Sequence, residues 1–311
     1  MPLQVTGVQV PVLAFIGVEG GVGKTTLALR FARLITDAPT RPNVLLIDMD
    51  VHTMSNLTTK VMQDVPIECS GWHECVFYKK DSLATLIDVE SREAIVPSPV
   101  SMGKCYLLPA YSLNAKGVYD TDIHAHHQEI EGILHSLIRQ AIAQYNFSCV
   151  VINCGTIITP YMVAAVSLSD RAFWVGNNPY LEPKKLHDWI ERLHEFKADI
   201  PSQKIISVLN QIEDQALVNR RDGRVYIPYD SVYFNAVYFE HNIGPSSECR
   251  HALLLLIEIS FKNIRPDWQC FPIPQQQSYW IALIPKPLRP LIVLAQLLLS
   301  LVLRLLFPWK K

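Results

Sequence analysis

Acidic residues are missing from the last part of this chain, and charge is scarce throughout it. Of 311 residues, only 18% are charged and 49% are hydrophobic. No acid follows Asp267, so residues 268–311 carry five Lys and Arg side chains and a net charge of +5. The rest of the chain has 23 Lys and Arg against 29 acids, a net charge of −6. These proportions exclude a disordered chain and a DNA-coating polycation, whereas the basic end suits an anionic surface.

The sequence also lacks a secretory signal, internal repeats and a Cys-x-x-Cys pair. Its N-terminus has no apolar run led by Lys or Arg, and its seven cysteines are scattered. We therefore expect reduced thiols in a cytosol-like compartment. Cys69, His73 and Cys75 have no second close Cys/His pair at zinc spacing, and the histidines of 124–127 are expected to lie in a solvated loop.

Short apolar runs alternate with amphipathic segments along residues 10–263. The runs that predict strands are residues 10–18, 43–47, 105–109, 149–153, 172–176 and 205–210. The segments that predict helices are residues 25–35, 82–91, 128–145, 183–196 and 247–263. Fully apolar strands that alternate with helices predict an α/β fold with a mostly parallel, doubly wound sheet.

The composition divides the chain into three parts. Residues 1–263 are expected to form the folded domain. Residues 264–290 contain six prolines beside three consecutive glutamines. Because proline fixes φ and disfavours helix before it, this part is predicted to be a linker. Residues 291–311 are expected to form a third part, an apolar helix with a basic end.

The strongest motif is the sequence GVEGGVGKTT at residues 17–26, placed between a predicted strand and a predicted helix. Glycines allow backbone N–H groups to surround an anion at a helix N-terminus. In such a loop Lys24 reaches the β- and γ-phosphates, and the Thr25 hydroxyl binds Mg²⁺. The sequence therefore predicts a nucleotide-binding P-loop.

Several segments, taken in order, resemble MinD/ParA-type ATPases, which carry a deviant Walker A motif. The segments are GGVGKTT, LLIDMDVHTMSNL at 45–57, CYLLPA at 105–110, FSCVVINCG at 147–155, IISVLNQ at 205–211 and IPYD at 227–230. The basic apolar end is similar to the membrane anchor of the MinD branch. The resemblance implies a P-loop NTPase fold that binds ATP and Mg²⁺.

The resemblance also assigns roles to residues of this chain. The phosphate-binding residues are Gly20, Gly21, Val22, Gly23, Lys24, Thr25 and Thr26. Asn210 and Pro228 are placed at the adenine base, because a carboxamide offers both a donor and an acceptor. Thr25 and Asp48 are placed at the metal, and Lys24 and Asp50 are the catalytic candidates.

Two residues depart from the family pattern. The signature lysine, which in the family crosses a dimer interface to the partner's nucleotide, is replaced by Glu19. A carboxylate there repels phosphate, so either Glu19 turns away or the nucleotide-dependent homodimer is altered. Asn153 stands where the Walker B strand ends in aspartate and brings no negative charge to Mg²⁺. We expect nucleotide binding with slow or absent hydrolysis, which leaves the assignment as an ATPase open.

Residues 291–307 form an apolar segment interrupted by only three polar side chains. Gln296, Ser300 and Arg304 fall on one narrow stripe of a helix, and Trp309, Lys310 and Lys311 follow. This pattern favours a helix lying in the interface of an anionic membrane. A short tail-anchored span and a helix buried against the body or a partner are the alternatives.

The sequence thus predicts a membrane-associated nucleotide switch that recruits or positions an unidentified protein partner at the inner face of a membrane. A degenerate pseudo-ATPase that tethers a membrane complex is the first alternative. A DNA-partitioning ATPase is the second, although the acidic body makes nucleic acid an unfavourable partner. An iron–sulfur carrier is disfavoured because no Cys-x-x-Cys pair is present.

Overall fold

Eight strands of the described chain form one sheet. The computed structural model describes residues 4–5, 8–50, 56–62, 71–72, 86–90, 103–110, 127–193, 196, 200–214, 222–231, 245–262 and 264. All of them lie within the compact unit Met1–Cys270. The strands of the sheet are β3 (Val12–Ile16), β4 (Val44–Asp48), β5 (Ile87–Asp88), β6 (Cys105–Leu108), β7 (Cys149–Asn153), β8 (Arg171–Gly176), β9 (Ile205–Ile212) and β10 (Val225–Pro228). A separate antiparallel pair consists of β1 (Gln4–Val5) and β2 (Val8–Gln9).

The order of the sheet is β10-β9-β8-β3-β7-β4-β6-β5. All neighbouring pairs are parallel except β5 with β6. Parallel strands place their carboxyl ends at one edge, which is where ligands bind in open α/β sheets. Strand β3 lies at the centre of the order and leads directly into the glycine-rich loop.

Helices connect the strands. They are α1 (Lys24–Thr36), α2 (Asn56–Met62), α3 (His127–Tyr145), α4 (Pro160–Leu168), α5 (Glu182–Leu193) and α6 (Ser247–Phe261), and a short 3₁₀ helix covers Ser202–Lys204. Within the described residues, no helix has both the length and the apolar character to cross a membrane.

The two faces of the sheet are covered by different helices. Phe15 on β3 packs against Phe31 of α1, with ring centroids 5.3 Å apart. The residues on either side of it, Ala14 and Ile16, belong to a buried cluster that includes α3 and α4. Because side chains alternate along a strand, this division confirms the predicted doubly wound sheet.

The structure confirms most of the predicted elements to within a few residues. The helix predicted over residues 82–91 is wrong for its described part, because Ile87–Asp88 is a strand antiparallel to β6. Residues 81–85 and 91 lie outside the described residues, as do the linker after residue 264 and the predicted helix at 291–311. The Cys69, His73 and Cys75 group also lies outside them.

Candidate functional site

The glycine-rich loop joins the central strand β3 to the N-terminus of α1. Gly23 is the N-cap of α1, with a left-handed φ of 78°, and no side chain caps the helix. The first turn also contains no acid. Since the first N–H groups of a helix have no intrahelical acceptor and its N-terminus is electropositive, this end of α1 suits a phosphate group.

Asn210 on β9 lies against this loop. Its side chain is fully buried, and Nδ2 donates to the carbonyl oxygen of Val22 across 2.9 Å. A Cβ added at Gly23 would lie 2.6 Å from the same Nδ2 atom. The Oδ1 atom of Asn210 is buried and has no hydrogen-bond partner within the described residues. The contact with Val22 therefore fixes the amide orientation and leaves an acceptor unused.

Pro228 lies at the end of β10, the neighbour of the strand that carries Asn210. It pairs with Ile212 after a shift in register, and the N–H of Tyr229 donates to the carbonyl of Ile212 across 3.0 Å. Gln211, which lies between Asn210 and Ile212 on β9, has a left-handed φ of 61°. The structure thus brings Pro228 and Asn210 to one edge of the sheet, and their contacts with a base stay a prediction.

Lys24 lies at the start of α1 and is only 6% exposed. Burial lowers the pKa of its ammonium group, while the nearby carboxylates of Asp50 and Asp48 oppose that shift. Asp50 is half-buried, and its Oδ1 is 2.8 Å from where a Cβ of Gly155 would stand. The two catalytic candidates, Lys24 and Asp50, therefore occupy the same part of the site.

Asp48 is fully buried, and both oxygens of its carboxylate accept hydrogen bonds. Oδ2 accepts from the backbone N–H of Thr58 at 2.9 Å and from its hydroxyl at 2.6 Å. Oδ1 accepts from Nδ2 of Asn153 at 3.0 Å, and the Asp48 carbonyl accepts from Nε1 of Trp72 at 2.7 Å. Burial raises the pKa of Asp48 to about 6 despite these bonds. Asp48 thus connects β4 with α2, β7 and Trp72, and its role at the metal stays a prediction.

Thr25 is half-buried in the first turn of α1, next to Lys24 and Thr26. Within the described part of the chain, no group of three or more His, Cys, Asp or Glu side chains is arranged to hold a metal ion. Metal binding through Thr25 and a bound nucleotide stays a prediction.

Glu19 turns towards α5. Its Oε1 accepts a hydrogen bond from Nζ of Lys185 at 2.5 Å, and the same ammonium group donates to Oε1 of Glu182 at 3.2 Å. Partial burial lowers the pKa of Lys185, but the hydrogen bonds to the two carboxylates outweigh it and raise the pKa above its usual value. The carboxylate of Glu19, which stands in place of the family's lysine, thus pairs with a cation of its own chain.

Glu182 is anchored from its other side. Its Oε2 accepts a hydrogen bond from Nε1 of Trp174 at 2.7 Å, and its side chain is only 3% exposed. An added Cβ at Gly176 would overlap the Glu182 carboxylate. Only the absence of a side chain at Gly176 leaves room for this acid.

Sequence reasoning missed Thr58, Trp72, Glu182 and Lys185. An acid in a phosphate loop signals that a compensating cation is needed, and α5 offers both Lys184 and Lys185. The sequence could not choose between them because the choice depends on which side chain faces the loop. Thr58 and Trp72 carried no such signal, since both contact Asp48 only through the tertiary fold.

The chain matches a known family of nucleotide-binding domains over most of its described residues. The family described as "CobQ/CobB/MinD/ParA nucleotide binding domain" matches residues 13–224. This range begins in β3 and extends to the residue before β10, so it includes the loop, Asp48, Asn153 and Asn210. Comparison with curated proteins gives no significant match.

Solved structures share the fold at low sequence identity. A Borrelia burgdorferi protein described as a plasmid partition protein, bound to AMPPNP, has a TM-score of 0.60 at 17% identity, over 80% of this chain and 99% of that one. The septum site-determining protein MinD of Pyrococcus horikoshii, complexed with Mg-ADP, has a TM-score of 0.56 at 17% identity, over 84% and 100%. A cobyrinic acid a,c-diamide synthase of Mycobacterium smegmatis, with an ATP analogue and magnesium, has a TM-score of 0.51 at 16% identity, over 80% and 96%.

Proposed function

Because the chain belongs to the CobQ/CobB/MinD/ParA nucleotide-binding family, we propose that it binds an adenine nucleotide with Mg²⁺ and acts as a switch at a membrane. Nucleotide occupancy favours one conformation or a homodimer, and that state recruits or positions a protein partner. The proposed location is the cytoplasmic side of a membrane, with residues 291–311 in contact with anionic lipid.

The observation that carries nucleotide binding is the N-terminus of α1. Gly23 takes a left-handed conformation, the first turn has no acid and no side-chain cap, and Lys24 is held there by burial. Similar folds have been crystallised with AMPPNP, Mg-ADP and an ATP analogue. A triphosphate fits this end of the helix because its oxygens accept from the N–H groups and its charge pairs with Lys24.

Asn210 supports adenine as the base. Its Nδ2 is committed to the Val22 carbonyl, so only Oδ1 remains, and Oδ1 is an acceptor. The 6-amino group of adenine can donate to this atom, whereas the 6-oxo group of guanine is itself an acceptor. We therefore expect ATP and ADP to bind more tightly than GTP and GDP.

Weak hydrolysis follows from the residues near Lys24. The Thr25 hydroxyl and the phosphates would hold Mg²⁺, and Asp50 is the carboxylate expected to orient the attacking water. Asn153 is neutral, and both oxygens of Asp48 already accept protein hydrogen bonds. Since phosphoryl transfer depends on positioning and charge stabilisation, turnover should be slow, which is compatible with a switch.

The membrane part of the proposal rests on the sequence of residues 291–311. In a helix, Gln296, Ser300 and Arg304 would form a polar stripe opposite a broad leucine surface, and the sequence Trp-Lys-Lys follows. Two such helices in a dimer would bind a vesicle with greater avidity than one. Nucleotide-dependent dimerisation would therefore control membrane binding.

Flotation with anionic vesicles tests the switch. Full-length protein is compared with ATP, ADP or no nucleotide, beside Lys24→Ala, and we expect ATP-dependent flotation that Lys24→Ala abolishes. Flotation that is equal under all three conditions contradicts the switch.

Two matched variants distinguish the forms of membrane contact. Leu298→Asp places a charge on the leucine surface, and Ser300→Asp places the same charge on the polar stripe. An interfacial helix loses flotation in Leu298→Asp and keeps it in Ser300→Asp. A spanning helix loses it in both variants, and a buried helix floats in neither variant nor in the wild type.

A pseudo-ATPase scaffold is the second candidate, and Asn153 is the observation that favours it. Phosphate release by the wild type is compared with release by Lys24→Ala. Release above that of the variant supports the ATPase. Equal and negligible release, together with unchanged flotation of Lys24→Ala, supports the scaffold.

A further inference from the structure

We infer that Lys185 is a positioning residue for the nucleotide. Lys185 holds Glu19 and offsets part of the negative charge of Glu19 and Glu182 beside the phosphate loop, within the same chain. This inference rests on the proposed nucleotide binding. It concerns three charged groups that are brought together by the loop and α5: Glu19, Glu182 and Lys185.

The contacts place Lys185 between the two acids. Its ammonium group is 2.5 Å from Oε1 of Glu19 and 3.2 Å from Oε1 of Glu182, and its side chain is only 23% exposed. Glu182 is held by Nε1 of Trp174 on β8, so its position does not depend on the lysine. Lys185 thus extends from a fixed acid on α5 to an acid on the loop.

The two acids of this cluster oppose phosphate binding, and the lysine reduces that opposition. Glu19 lies in the loop five residues before Lys24, and Glu182 is almost completely buried beside it. With Lys185 the cluster carries one net negative charge, and without it two. Like charges in a partly desolvated site repel strongly, and the repulsion grows with the charge of the ligand.

The adjacent Lys184 provides a matched control. It lies on the same helix and carries the same charge, but it is exposed, and within the described residues its side chain forms no hydrogen bond or ion pair. A substitution at Lys184 removes one positive charge from α5 without disturbing the Glu19–Lys185–Glu182 contacts. Any effect of general surface charge should therefore be common to both lysines.

Calorimetric titration with Mg-ATP, Mg-ADP and adenosine tests the inference in full-length protein. We expect Lys185→Met to weaken ATP binding about tenfold, ADP binding less, and adenosine binding by less than twofold. Glu19→Gln should tighten ATP binding a few fold. The double variant Glu19→Gln/Lys185→Met should return to within about threefold of the wild type. Lys185→Arg should keep most of the affinity, and Lys184→Met should match the wild type.

The pattern across ligands separates charge compensation from a structural role. Equal losses for adenosine and ATP in Lys185→Met, or no recovery in the double variant, would overturn the inference. So would a loss in Lys184→Met as large as that in Lys185→Met. Thermal unfolding without nucleotide identifies a variant that does not fold. If Lys185→Met does not fold, Glu19→Gln tests the inference by itself, because an unchanged ATP affinity in that variant also contradicts it.

The wild type distinguishes this inference from the proposed function. If the wild type binds neither ATP nor ADP at millimolar concentration, the proposed function fails. If the wild type binds ATP and Lys185→Met binds it equally well, only the role of Lys185 fails.

Discussion

Asn153 donates from Nδ2 to Oδ1 of Asp48 across 3.0 Å, and its own Oδ1 is buried without a hydrogen-bond partner in the described part of the chain. The two residues end the adjacent parallel strands β7 and β4, in register with each other. The neutral amide of Asn153 donates a hydrogen bond to the buried Asp48 carboxylate, and an ionised carboxylate at position 153 could not donate one. Asn153, which departs from the family pattern, thus stabilises Asp48, which agrees with that pattern.

Asn153→Asp should make stability strongly dependent on pH. Two carboxylates about 3 Å apart cannot both ionise readily, so the folded pair retains a proton that the unfolded chain has lost by neutral pH. Stability should fall relative to the wild type by about 1–3 kcal/mol at pH 8 and by less at pH 5. Urea unfolding at the two pH values measures this. Asn153→Ala removes the amide without adding charge, and a loss in Asn153→Asp that depends on pH no more than the loss in Asn153→Ala would contradict the prediction.

Asp48 should itself lower stability as the pH rises. Its folded pKa of about 6 lies above the ordinary 3.8, so the folded state binds more protons between these values. The contribution of Asp48 is therefore most favourable below pH 4 and is lost as the pH rises through 6. A shift of this size corresponds to about 3 kcal/mol.

Asp48→Asn removes this titration and tests its sign. The Asn153 amide can rotate so that its unused Oδ1 accepts from the new amide group. We expect the unfolding free energy of the variant to depend less on pH between 4 and 6.5 than that of the wild type. Asp188→Asn, on the exposed side of α5, is the control for loss of one carboxylate. Parallel pH profiles for the wild type and Asp48→Asn would show that the prediction is wrong.

The central strands and the loop could be predicted from sequence because their patterns are local. Cys149–Asn153 is a fully buried strand that is apolar up to its last residue, β4 has the same pattern, and β3 is apolar throughout. In a parallel sheet that is covered on both faces, both sides of a strand are buried, so apolar residues follow one another and do not alternate with polar ones. The motif at residues 17–26 combines glycines, a lysine and two threonines in an order with few structural alternatives.

Other elements were missed because their burial depends on distant parts of the chain. Helix α4 is buried all round from Tyr161 to Val166, so it shows no helical period of polar residues. Residues 87–88 were predicted as helix, yet Ile87 pairs with Leu107 at the edge of the sheet. The partners of Asp48 were also unpredictable, since Thr58 and Trp72 reach it only after the chain has folded.

Gly176→Ala should destabilise the protein through Glu182. An added Cβ overlaps the buried carboxylate and displaces it, so Nε1 of Trp174 loses its acceptor. Overpacking and an unpaired buried donor together predict a loss of about 2–4 kcal/mol, measured by urea unfolding. Gly132→Ala on α3 is the control, because nothing lies within 4 Å of its added Cβ and alanine favours helix. Wild-type stability in Gly176→Ala would mean that Glu182 can move without cost.

Gly23→Ala should strain the phosphate loop and displace the side chain of Asn210, which contacts the loop. The left-handed φ of 78° costs a residue with a Cβ about 1–2 kcal/mol, and the new atom would stand 2.6 Å from Nδ2 of Asn210. Asn210 must then release the Val22 carbonyl, which frees its amide to rotate. We expect ATP affinity to fall at least tenfold and the preference for ATP over GTP to shrink, both measured by competition with a fluorescent nucleotide. Gly20→Ala is the control for stability, since no atom lies within 4 Å of its added Cβ. If Gly23→Ala weakens ATP and GTP binding by the same factor, Asn210 is not the residue that distinguishes the two bases.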